Sequence, residues 1–316
     1  MIKEHFLSIT DLSAKEIWQV FHMAKELKEE LKSFGGNAPL LKDKNMVMLF
    51  EKPSLRTKLS FDIGISQLGG HAIYFSPQEV GLGQRELAAD VAKVVSSMAD
   101  LIVARVYSHT TLEELAQNSR APVVNALSDL EHPCQALADL FTIWEVKRYQ
   151  DLSGLVMAYV GDGENNVTHS LCLGAVMMNM EFRCGSPEGF WMNGQIVSKA
   201  ESFGGKITET KDPQEAVAHA DIVVADTWVS MGDTDEEVRK ERFRPYQVNA
   251  ALMSLAKPDA IFMHCLPAYR GKEVTAEVID GPQSVVFQEA ENRLHVQKSL
   301  LIWLLSRQLK HKLNNN

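Results

Sequence analysis

The chain has 316 residues, 32 of them Lys or Arg and 41 Asp or Glu, giving a net charge of −9. This length predicts two domains, and the 45% apolar content is that of an ordinary globular protein. The acidic balance argues against a nucleic-acid binder, which needs a basic face, but permits a small anion held by a few arginines. The chain contains no run of about 18 apolar residues, so the sequence predicts no membrane span.

The cysteines and the first residues indicate a cytoplasmic protein. The N-terminal stretch MIKEHFLSITDLS has neither the apolar core of a signal peptide nor an Arg-rich amphipathic pattern. The four cysteines are scattered without a C-x-x-C pair, and we expect reduced thiols. They are Cys134, Cys172, Cys184 and Cys265.

Short apolar runs alternate with helical patterns along the first half of the chain. An amphipathic helix is predicted to begin near Ser13, which has capping-box spacing with Glu16. Strands are predicted at residues 45–50, 71–75, 101–106 and 122–125. Near-continuous apolar strands separated by helices favour parallel sheets covered on both faces.

The second half repeats this pattern after a polar stretch at residues 147–154, which we interpret as a linker. The predicted strands are the segments LVMAYVG, KITET, DIVVAD, AIFMHC and SVVFQ. Residues from 291 to about 312 are predicted to form one long helix. The fold class is therefore α/β, with two doubly wound parallel-sheet domains.

Polar segments directly follow many of the predicted strands. In doubly wound sheets, ligands lie beyond the carboxyl ends of the strands, where the strand order reverses. The segments EKPSLRTKLSF, HPCQALADL, DGENNVTHS, TWVSMGD and LPAYRG occupy such positions. We expect these segments to converge on one face.

In the first half, the segment PSLRTK follows a strand and opens a helix, which suits an anion. Free N–H groups, the hydroxyls of Ser54 and Thr57, and the Arg56 guanidinium would cradle a phosphate. The alternative is a capped helix with a surface arginine. Arg105 ends an apolar strand, where it needs either an anionic ligand or a structural ion pair.

Further along, His132 and Gln135 could hydrogen-bond a carbonyl oxygen, or could simply begin a helix. The loop VGDGENN resembles a glycine-rich dinucleotide loop but is not G-x-G-x-x-G, so a nucleotide-dependent oxidoreductase is a weaker alternative. Asn166 in that loop could instead bind a carboxylate or an amine.

Near the C-terminus, Asp226 at a strand end suits an ammonium group, followed by the turn containing Ser230 and Met231. The alternative for that turn is a solvated acidic loop. Arg293 opens the last helix and could be a surface charge. The segment MHCLP at residues 263–267 is either a metal-ligand pair, a nucleophile or the end of a buried strand, and no further Cys/His motif supports zinc.

Together the motifs EKPSLRTKLSF, HPCQALADL, DTWVSMG, HCLPAYRG and EAENRLH resemble the aspartate/ornithine carbamoyltransferase superfamily, and its ornithine carbamoyltransferases in particular. The resemblance extends from about residue 5 to residue 312. It implies a carbamoyl phosphate-binding domain (1–146), an ornithine-binding domain (147–290) and a C-terminal helix (291–316) that packs back on the first domain.

The resemblance also implies an activity: transfer of the carbamoyl group of carbamoyl phosphate to the δ-amine of L-ornithine, in arginine metabolism. It implies neither a cofactor nor a metal, and it implies a homotrimer or a multiple of trimers. A carbamoyltransferase for another amine, such as putrescine, is the alternative within the family. Aspartate carbamoyltransferases carry a proline-leucine-proline loop where this chain has HCLP, and they lack the DTWVSMG pattern.

Site residues are carried over motif by motif. The residues expected to bind carbamoyl phosphate are Ser54, Leu55, Arg56, Thr57, Arg105, His132, Gln135, Cys265, Leu266 and Arg293. Those expected to bind ornithine are Asn166, Asp226, Ser230 and Met231. The catalytic set is Arg105, His132, Asp226 and Cys265.

Two structural expectations concern the HCLP segment, and three positions depart from the family pattern. Cys265 is expected to pair with Asp226 from the neighbouring strand, and Leu266-Pro267 is a candidate cis bond. Leu55 replaces a usual threonine, Lys58 a usual arginine and Gln84 a usual lysine. Arg85 could supply a positive charge to a neighbouring subunit.

Overall fold

A computed structural model describes residues 5–82, 85–229 and 236–314, with side chains up to residue 308. The chain forms two compact units. The first unit comprises Met1–Ala138 and Glu291–Asn316, and the second comprises Asp139–Ala290. The divisions between the units fall inside two helices, after Ala138 and after Ala290.

The first unit is built on a parallel sheet. Its strands are β1 (Asn45–Phe50), β2 (His71–Phe75), β3 (Leu101–Arg105) and β4 (Val123–Leu127). Its helices are α1 (Ala14–Phe34), α2 (Leu55–Gln67), α3 (Pro77–Val80), α4 (Ala88–Met98), α5 (His109–Asn118) and the start of α6 (Pro133–Val146). The strands are arranged in the order β2-β1-β3-β4 among the described residues, and their pairings are parallel, as the alternation of strands and helices predicts.

Local sequence signals explain where the helices of this unit begin and end. Ser13 caps α1 and forms the predicted capping box with Glu16. The helix ends at Gly35, whose φ of 74° places it in the left-handed region that glycine adopts without strain. Ser54 caps α2 by accepting a hydrogen bond from the backbone N–H of Thr57.

The C-terminal helix α13 (Val286–Asn314) joins the first unit from Glu291 onward. Its polar side chains bond to α1 and α2. Ser299 Oγ donates to the carbonyl of Val20 at 2.8 Å, and Lys28 Nζ donates to Asn292 Oδ1 at 2.8 Å. The expected packing of this helix on the first sheet domain is therefore confirmed.

The second unit also contains a parallel sheet. Its strands are β5 (Val156–Val160), β6 (Glu181–Gly185), β7 (Lys206–Thr210), β8 (Ile222–Val224) and β9 (Ile261–Met263). Its helices are α7 (Asn166–Met177), α8 (Gly194–Ser202), α9 (Pro213–Val217), α10 (Glu236–Phe243), α11 (Ala250–Met253) and α12 (Ala276–Ile279). In the described part of the chain the strand order is β7-β6-β5-β8-β9.

One predicted strand is wrong, and one strand of the structure was not predicted. The segment SVVFQ makes only an isolated bridge between Ser284 and Phe262, and α13 already starts at Val286. Its apolar run instead leads into a helix, in which Val286 is buried and Phe287 is 68% exposed, because a short run of this kind does not distinguish strand from helix. Strand β6 was not predicted, since the outward Glu181 and Arg183 interrupt its apolar pattern and pair with each other at 2.6 Å.

Large apolar side chains fill the interior of each unit. In the first, Phe21, Phe50 and Phe61 are fully buried, and in the second Tyr159 and Phe262 are. Among the described helices, none combines the length and apolar character needed to cross a membrane.

Candidate functional site

The strand order places a switch point in each sheet. In the first it lies between β1 and β3, and in the second between β5 and β8. Ser54 lies in the segment after β1, and Arg105 is the last residue of β3. Asn165 lies in the segment after β5, and Asp226 lies in the segment after β8. The polar segments singled out in the sequence thus lie where doubly wound sheets bind ligands.

The segment after β1 forms an N-terminal helix turn suited to an anion. Ser54 Oγ donates to Thr57 Oγ1 at 3.0 Å and also caps α2. Arg56 is half-buried in the first turn, and Thr57 is fully buried. Backbone N–H groups at a helix start carry a partial positive charge, and the arginine adds a full one.

Arg293 of α13 joins this turn to α6. Its Nη2 donates to Thr57 Oγ1 at 2.8 Å, and its Nη1 donates to Gln135 Oε1 at 2.7 Å. All three residues are at most 3% exposed. A buried guanidinium held by two neutral oxygens keeps its positive charge available for an anionic or strongly polar ligand.

His132, directly before α6, is a neutral imidazole. Burial lowers its pKa well below the ordinary 6.5, and the charges of Arg293 and Arg105 lower it further. The neighbouring Cys134 is also neutral, because burial raises the pKa of its thiol to about 12. His132 is therefore suited to donate or accept a hydrogen bond without adding charge.

Arg105 is the last residue of β3, at an irregularity in the pairing with β4. The backbone N–H of Glu51 donates to the Arg105 carbonyl at 2.8 Å, and Glu51 Oε2 accepts from the N–H of Tyr107 at 2.7 Å. Glu51 thus ties the end of β1 to the segment that carries Arg105. This link crosses the switch point of the first sheet.

In the second unit, Asn165, which the sequence motifs did not single out, links the start of α7 to Asp226. Asn165 caps α7, its Oδ1 accepting from the N–H of Val167 at 2.7 Å. Its Nδ2 donates to Asp226 Oδ2 at 3.0 Å. Asn166 is the half-buried first residue of α7. The Ser/Thr/Asp/Asn preference at helix N-caps was the signal that could have identified Asn165.

Gly163 of the β5–α7 turn is required by protein packing. A Cβ on Gly163 would lie 2.5 Å from the carbonyl oxygen of Phe190, so only glycine fits there. Three N–H groups of this turn, those of Gly163, Glu164 and Val167, already donate to side-chain oxygens, so the turn lacks the free N–H groups that a dinucleotide pyrophosphate requires.

The expected contact between Cys265 and Asp226 is present. Cys265 Sγ donates to Asp226 Oδ1 at 3.2 Å, the two residues following the paired strands β9 and β8. Burial raises the pKa of the Cys265 thiol well above its usual range, and the charges of Asp226 and Glu289 raise it further. A protonated thiol is a weak nucleophile, so Cys265 is suited to positioning. The expected Leu266-Pro267 cis bond is also present.

Asp226, His264 and Cys265 place potential metal-ligand atoms within 4.8 Å of one another. Both ring nitrogens of His264 face other groups. Nδ1 accepts from the N–H of Leu266 at 2.9 Å, and Nε2 lies 3.3 Å from a carboxylate oxygen of buried Glu273. Metal ligation would require His264 to give up one of these contacts and Cys265 to lose its proton.

Not every residue singled out in the sequence can be placed. Ser230, Met231 and Gln84 lie outside the described residues. Leu55 is 76% exposed at the first position of α2, so its side chain points away from the buried Thr57. Lys58 packs its ammonium 4.0 Å from the ring centroid of Tyr74, and the Arg85 side chain is exposed.

Two family models match the chain. Residues 4–145 match the carbamoyl-P binding domain of aspartate/ornithine carbamoyltransferases, and residues 153–304 match their Asp/Orn binding domain. The first match covers the segment with Ser54, Arg105 and Gln135. The second covers Asp226, Cys265 and Arg293.

Individual relatives agree with these models. The chain is 47% identical to an ornithine carbamoyltransferase of Methanosarcina acetivorans, over 96% of this chain and all of that one. It is 49% identical to one of Carboxydothermus hydrogenoformans, over 95% and 97% of the two chains. Among solved structures, the Pyrococcus furiosus ornithine carbamoyltransferase is similar with a TM-score of 0.89 and 45% identity, over 94% of this chain and 95% of that one. The Campylobacter jejuni anabolic enzyme gives 0.90 and 39%, over 96% and 99%.

Proposed function

Because the chain belongs to the aspartate/ornithine carbamoyltransferase family, we propose that it transfers the carbamoyl group of carbamoyl phosphate to the δ-amine of L-ornithine. The products are L-citrulline and phosphate. The observation that carries the proposal is the buried Arg293 guanidinium, held between Thr57 and Gln135. The curated relatives named ornithine carbamoyltransferase, at 47% and 49% identity, support ornithine as the acceptor.

The phosphate of carbamoyl phosphate binds at the start of α2. Ser54 and Thr57 offer hydroxyls, Leu55 offers its backbone N–H, and Arg56 offers its guanidinium. Arg105 adds a second guanidinium from the end of β3. The N-terminal partial charge of α2 favours the same ligand. Exposure of the Leu55 side chain is compatible with this role, because the proposed contact uses only its backbone N–H.

The carbamoyl group is polarised by donors directed at its oxygen. Thr57, Arg105 and the neutral His132 stabilise the negative charge that develops there, a role often worth about 3–4 kcal/mol per donor. Gln135 and Arg293 orient the group, together with the backbone at Cys265 and Leu266. These assignments match the contacts of Arg293 and the neutral state of His132.

Ornithine binds through Asn166, Asp226, Ser230 and the backbone of Met231. An amine of the lysine type has a pKa of about 10.4, so making it neutral at pH 7 costs about 4.6 kcal/mol. Desolvation beside arginines lowers this cost. The carboxylate of Asp226, with Cys265 donating to it, positions the amine for attack.

The free amine attacks the carbonyl carbon, and the bond to phosphate breaks. Phosphate leaves with the electron pair of that bond and accepts the proton released by the amine. The raised pKa of Cys265 supports direct attack without a covalent enzyme intermediate. The reaction needs no protein nucleophile and no metal.

The proposal extends to organisation and location. Residues 1–146 bind carbamoyl phosphate, residues 147–290 bind ornithine, and residues 291–316 return Arg293 to the first region. The enzyme acts in the cytoplasm in arginine biosynthesis. It works as a homotrimer or a multiple of trimers, with the segment at Arg85 directed toward an adjacent subunit.

Exposed apolar side chains support the association of several copies. Leu55, Leu59 and Ile63 recur every four residues along α2 and are 76%, 52% and 38% exposed. Ile73 and Phe75 of the edge strand β2 are 42% and 37% exposed. The three residues of α2 form one exposed apolar stripe, which we call the α2 face.

One assay tests the activity: purified protein is incubated with carbamoyl phosphate and L-ornithine, and citrulline is measured. We expect citrulline formation with ornithine and little turnover with putrescine or L-aspartate. Turnover with putrescine or aspartate but not with ornithine would refute the assigned acceptor. Tight NAD binding without citrulline formation would favour the oxidoreductase alternative, which the capped β5–α7 turn argues against.

A further inference from the structure

Arg239 of α10 is a buried arginine that the proposed reaction does not use. Its Nη1 donates to Asp162 Oδ2 at 2.7 Å and to the carbonyl of Trp228 at 3.2 Å. The side chains of Arg239 and Asp162 are 13% and 7% exposed. The guanidinium also lies 5.0 Å from the ring centroid of Phe190. Burying two charges is costly, so this pair is maintained at the expense of desolvation.

Asp162 organises the turn after β5 while it binds Arg239. Its Oδ1 accepts from the N–H of Glu164 at 3.1 Å, and its carbonyl accepts from Thr168 Oγ1 at 2.9 Å. These bonds fix the turn in which Asn165 and Asn166 begin α7. The carboxylate therefore uses one oxygen for the turn and the other for the guanidinium.

The second contact of Arg239 reaches the other side of the switch point. Trp228 lies two residues after Asp226, in the segment that follows β8. One Arg239 nitrogen thus ties that segment to the turn after β5. The same two segments are also joined by the bond from Asn165 Nδ2 to Asp226 Oδ2. Two independent links hold them in register.

We propose that Arg239 is a positioning residue for ornithine, setting the separation of Asn166 and Asp226 through Asp162 and the Trp228 carbonyl. This inference rests on the proposed function. Arg239 has no assigned contact with the substrate, so its effect is on the geometry of the residues that bind the amine. The residues assigned to the phosphate, Ser54 and Arg56 among them, belong to the other unit.

The planar guanidinium is suited to this task. It can donate to a carboxylate and a carbonyl while lying 5.0 Å from the ring centroid of Phe190, a combination that an ammonium group makes less well. A lysine at this position would keep the charge but lose part of this geometry. Small displacements of substrate-positioning groups can cost up to about a hundredfold in rate.

The experiment compares steady-state citrulline formation by the full-length wild type and by R239Q, R239K and the control K240Q. Lys240 lies on the same helix and makes exposed ion pairs with Glu236 and Glu237. For R239Q we expect kcat/KM for ornithine to fall about tenfold to a hundredfold. The KM of R239Q for carbamoyl phosphate should change less than about twofold. The ornithine kcat/KM of R239K should lie between those of the wild type and R239Q, and that of K240Q should match the wild type.

A double-mutant cycle with D162N separates positioning from general destabilisation. If Arg239 acts through Asp162, D162N/R239Q should lose no more ornithine kcat/KM than the more affected single variant. Unchanged ornithine kinetics in R239Q, or an equal rise in both KM values, would overturn the inference. If R239Q does not fold, unchanged ornithine kinetics in R239K decides against it in the same way. A wild type that forms no citrulline would instead refute the proposed function on which the inference rests.

Discussion

The thiol of Cys265 is protonated, because burial and the carboxylate of Asp226 both raise its pKa. Its hydrogen bond to Asp226 Oδ1 makes it a donor that orients a carboxylate. The pattern of a cysteine beside a histidine at a strand end was ambiguous among ligand, nucleophile and strand terminus. The neighbour across the sheet favours a positioning role.

Replacing Cys265 by serine should affect ornithine more than carbamoyl phosphate. The shorter C–O bond moves the donor away from Asp226, and we expect kcat/KM for ornithine to fall about tenfold. The KM for carbamoyl phosphate should change less. Steady-state kinetics with each substrate varied in turn measures both, and C172A, at a buried cysteine of α7, serves as the control. A larger effect on carbamoyl phosphate would refute the pairing.

The neutral state of His132 has a consequence for stability. Burial, Arg293 and Arg105 lower its pKa, so the native state stays unprotonated while an unfolded histidine titrates near 6.5. The free energy of unfolding that His132 contributes above pH 6.5 is therefore lost progressively as the pH falls below 6.5. Between pH 7.5 and 5.5 we expect His132→Asn to lose less stability than the wild type, by on the order of 1 kcal/mol. Urea unfolding at the two pH values measures this, and equal losses would contradict a neutral His132.

At the scale of elements, α13 is held by a buried cation. Lys298 Nζ donates to Asn37 Oδ1 at 2.6 Å and to Gln67 Oε1 at 2.9 Å, so it links α13 to the end of α2 and to the segment after α1. Both partners are neutral amides, and burial lowers the pKa of Lys298 from 10.5 to about 8. The helix that carries Arg293 is thus anchored by a lysine close to its titration range.

Lys298 should make stability depend on alkaline pH. Between pH 8 and 10.5 the unfolded chain holds a proton that the native lysine has lost, so the free energy of unfolding gains a contribution that rises with pH. The full contribution is about 3 kcal/mol. Lys298→Met should remove this pH-dependent contribution. Denaturant titrations of the wild type and the variant at pH 7.5 and 10 measure the difference between their free energies of unfolding at each pH. A difference that does not vary with pH would show that Lys298 has an ordinary pKa.

For the whole molecule, the α2 face is the surface on which association between copies can be tested. A charge placed at its centre should weaken contacts between copies, because burying an unpaired carboxylate is costly. We expect Leu59→Glu to shift the protein to monomers in sedimentation velocity while the monomer stays folded by circular dichroism. Val94→Glu, at a 55% exposed position on α4, is the matched control. A Leu59→Glu protein that remains trimeric would exclude this face as the interface.

Much of the fold was predictable because its signals are local. The apolar runs at β1 and β2, the capping box at Ser13 and the polar segments at strand ends depend on residues close in sequence. The residue types at Ser54, Arg105, His132 and Asp226 likewise indicated where an anion and an amine would bind. Their roles stay predictions, as do those of Ser230 and Met231 outside the described residues.

The sequence by itself determined the α/β class, the parallel sheets and the segments that carry the candidate site, since periodicity and capping act over a few residues. Only the tertiary structure decided which side chains meet. Thr57 and Arg293 are 236 positions apart. It also decided that Asn165 bonds Asp226, and that Arg239 is buried against Asp162. The pKa of a thiol or an imidazole depends on burial and on the charges around it, which arise only when distant segments pack together.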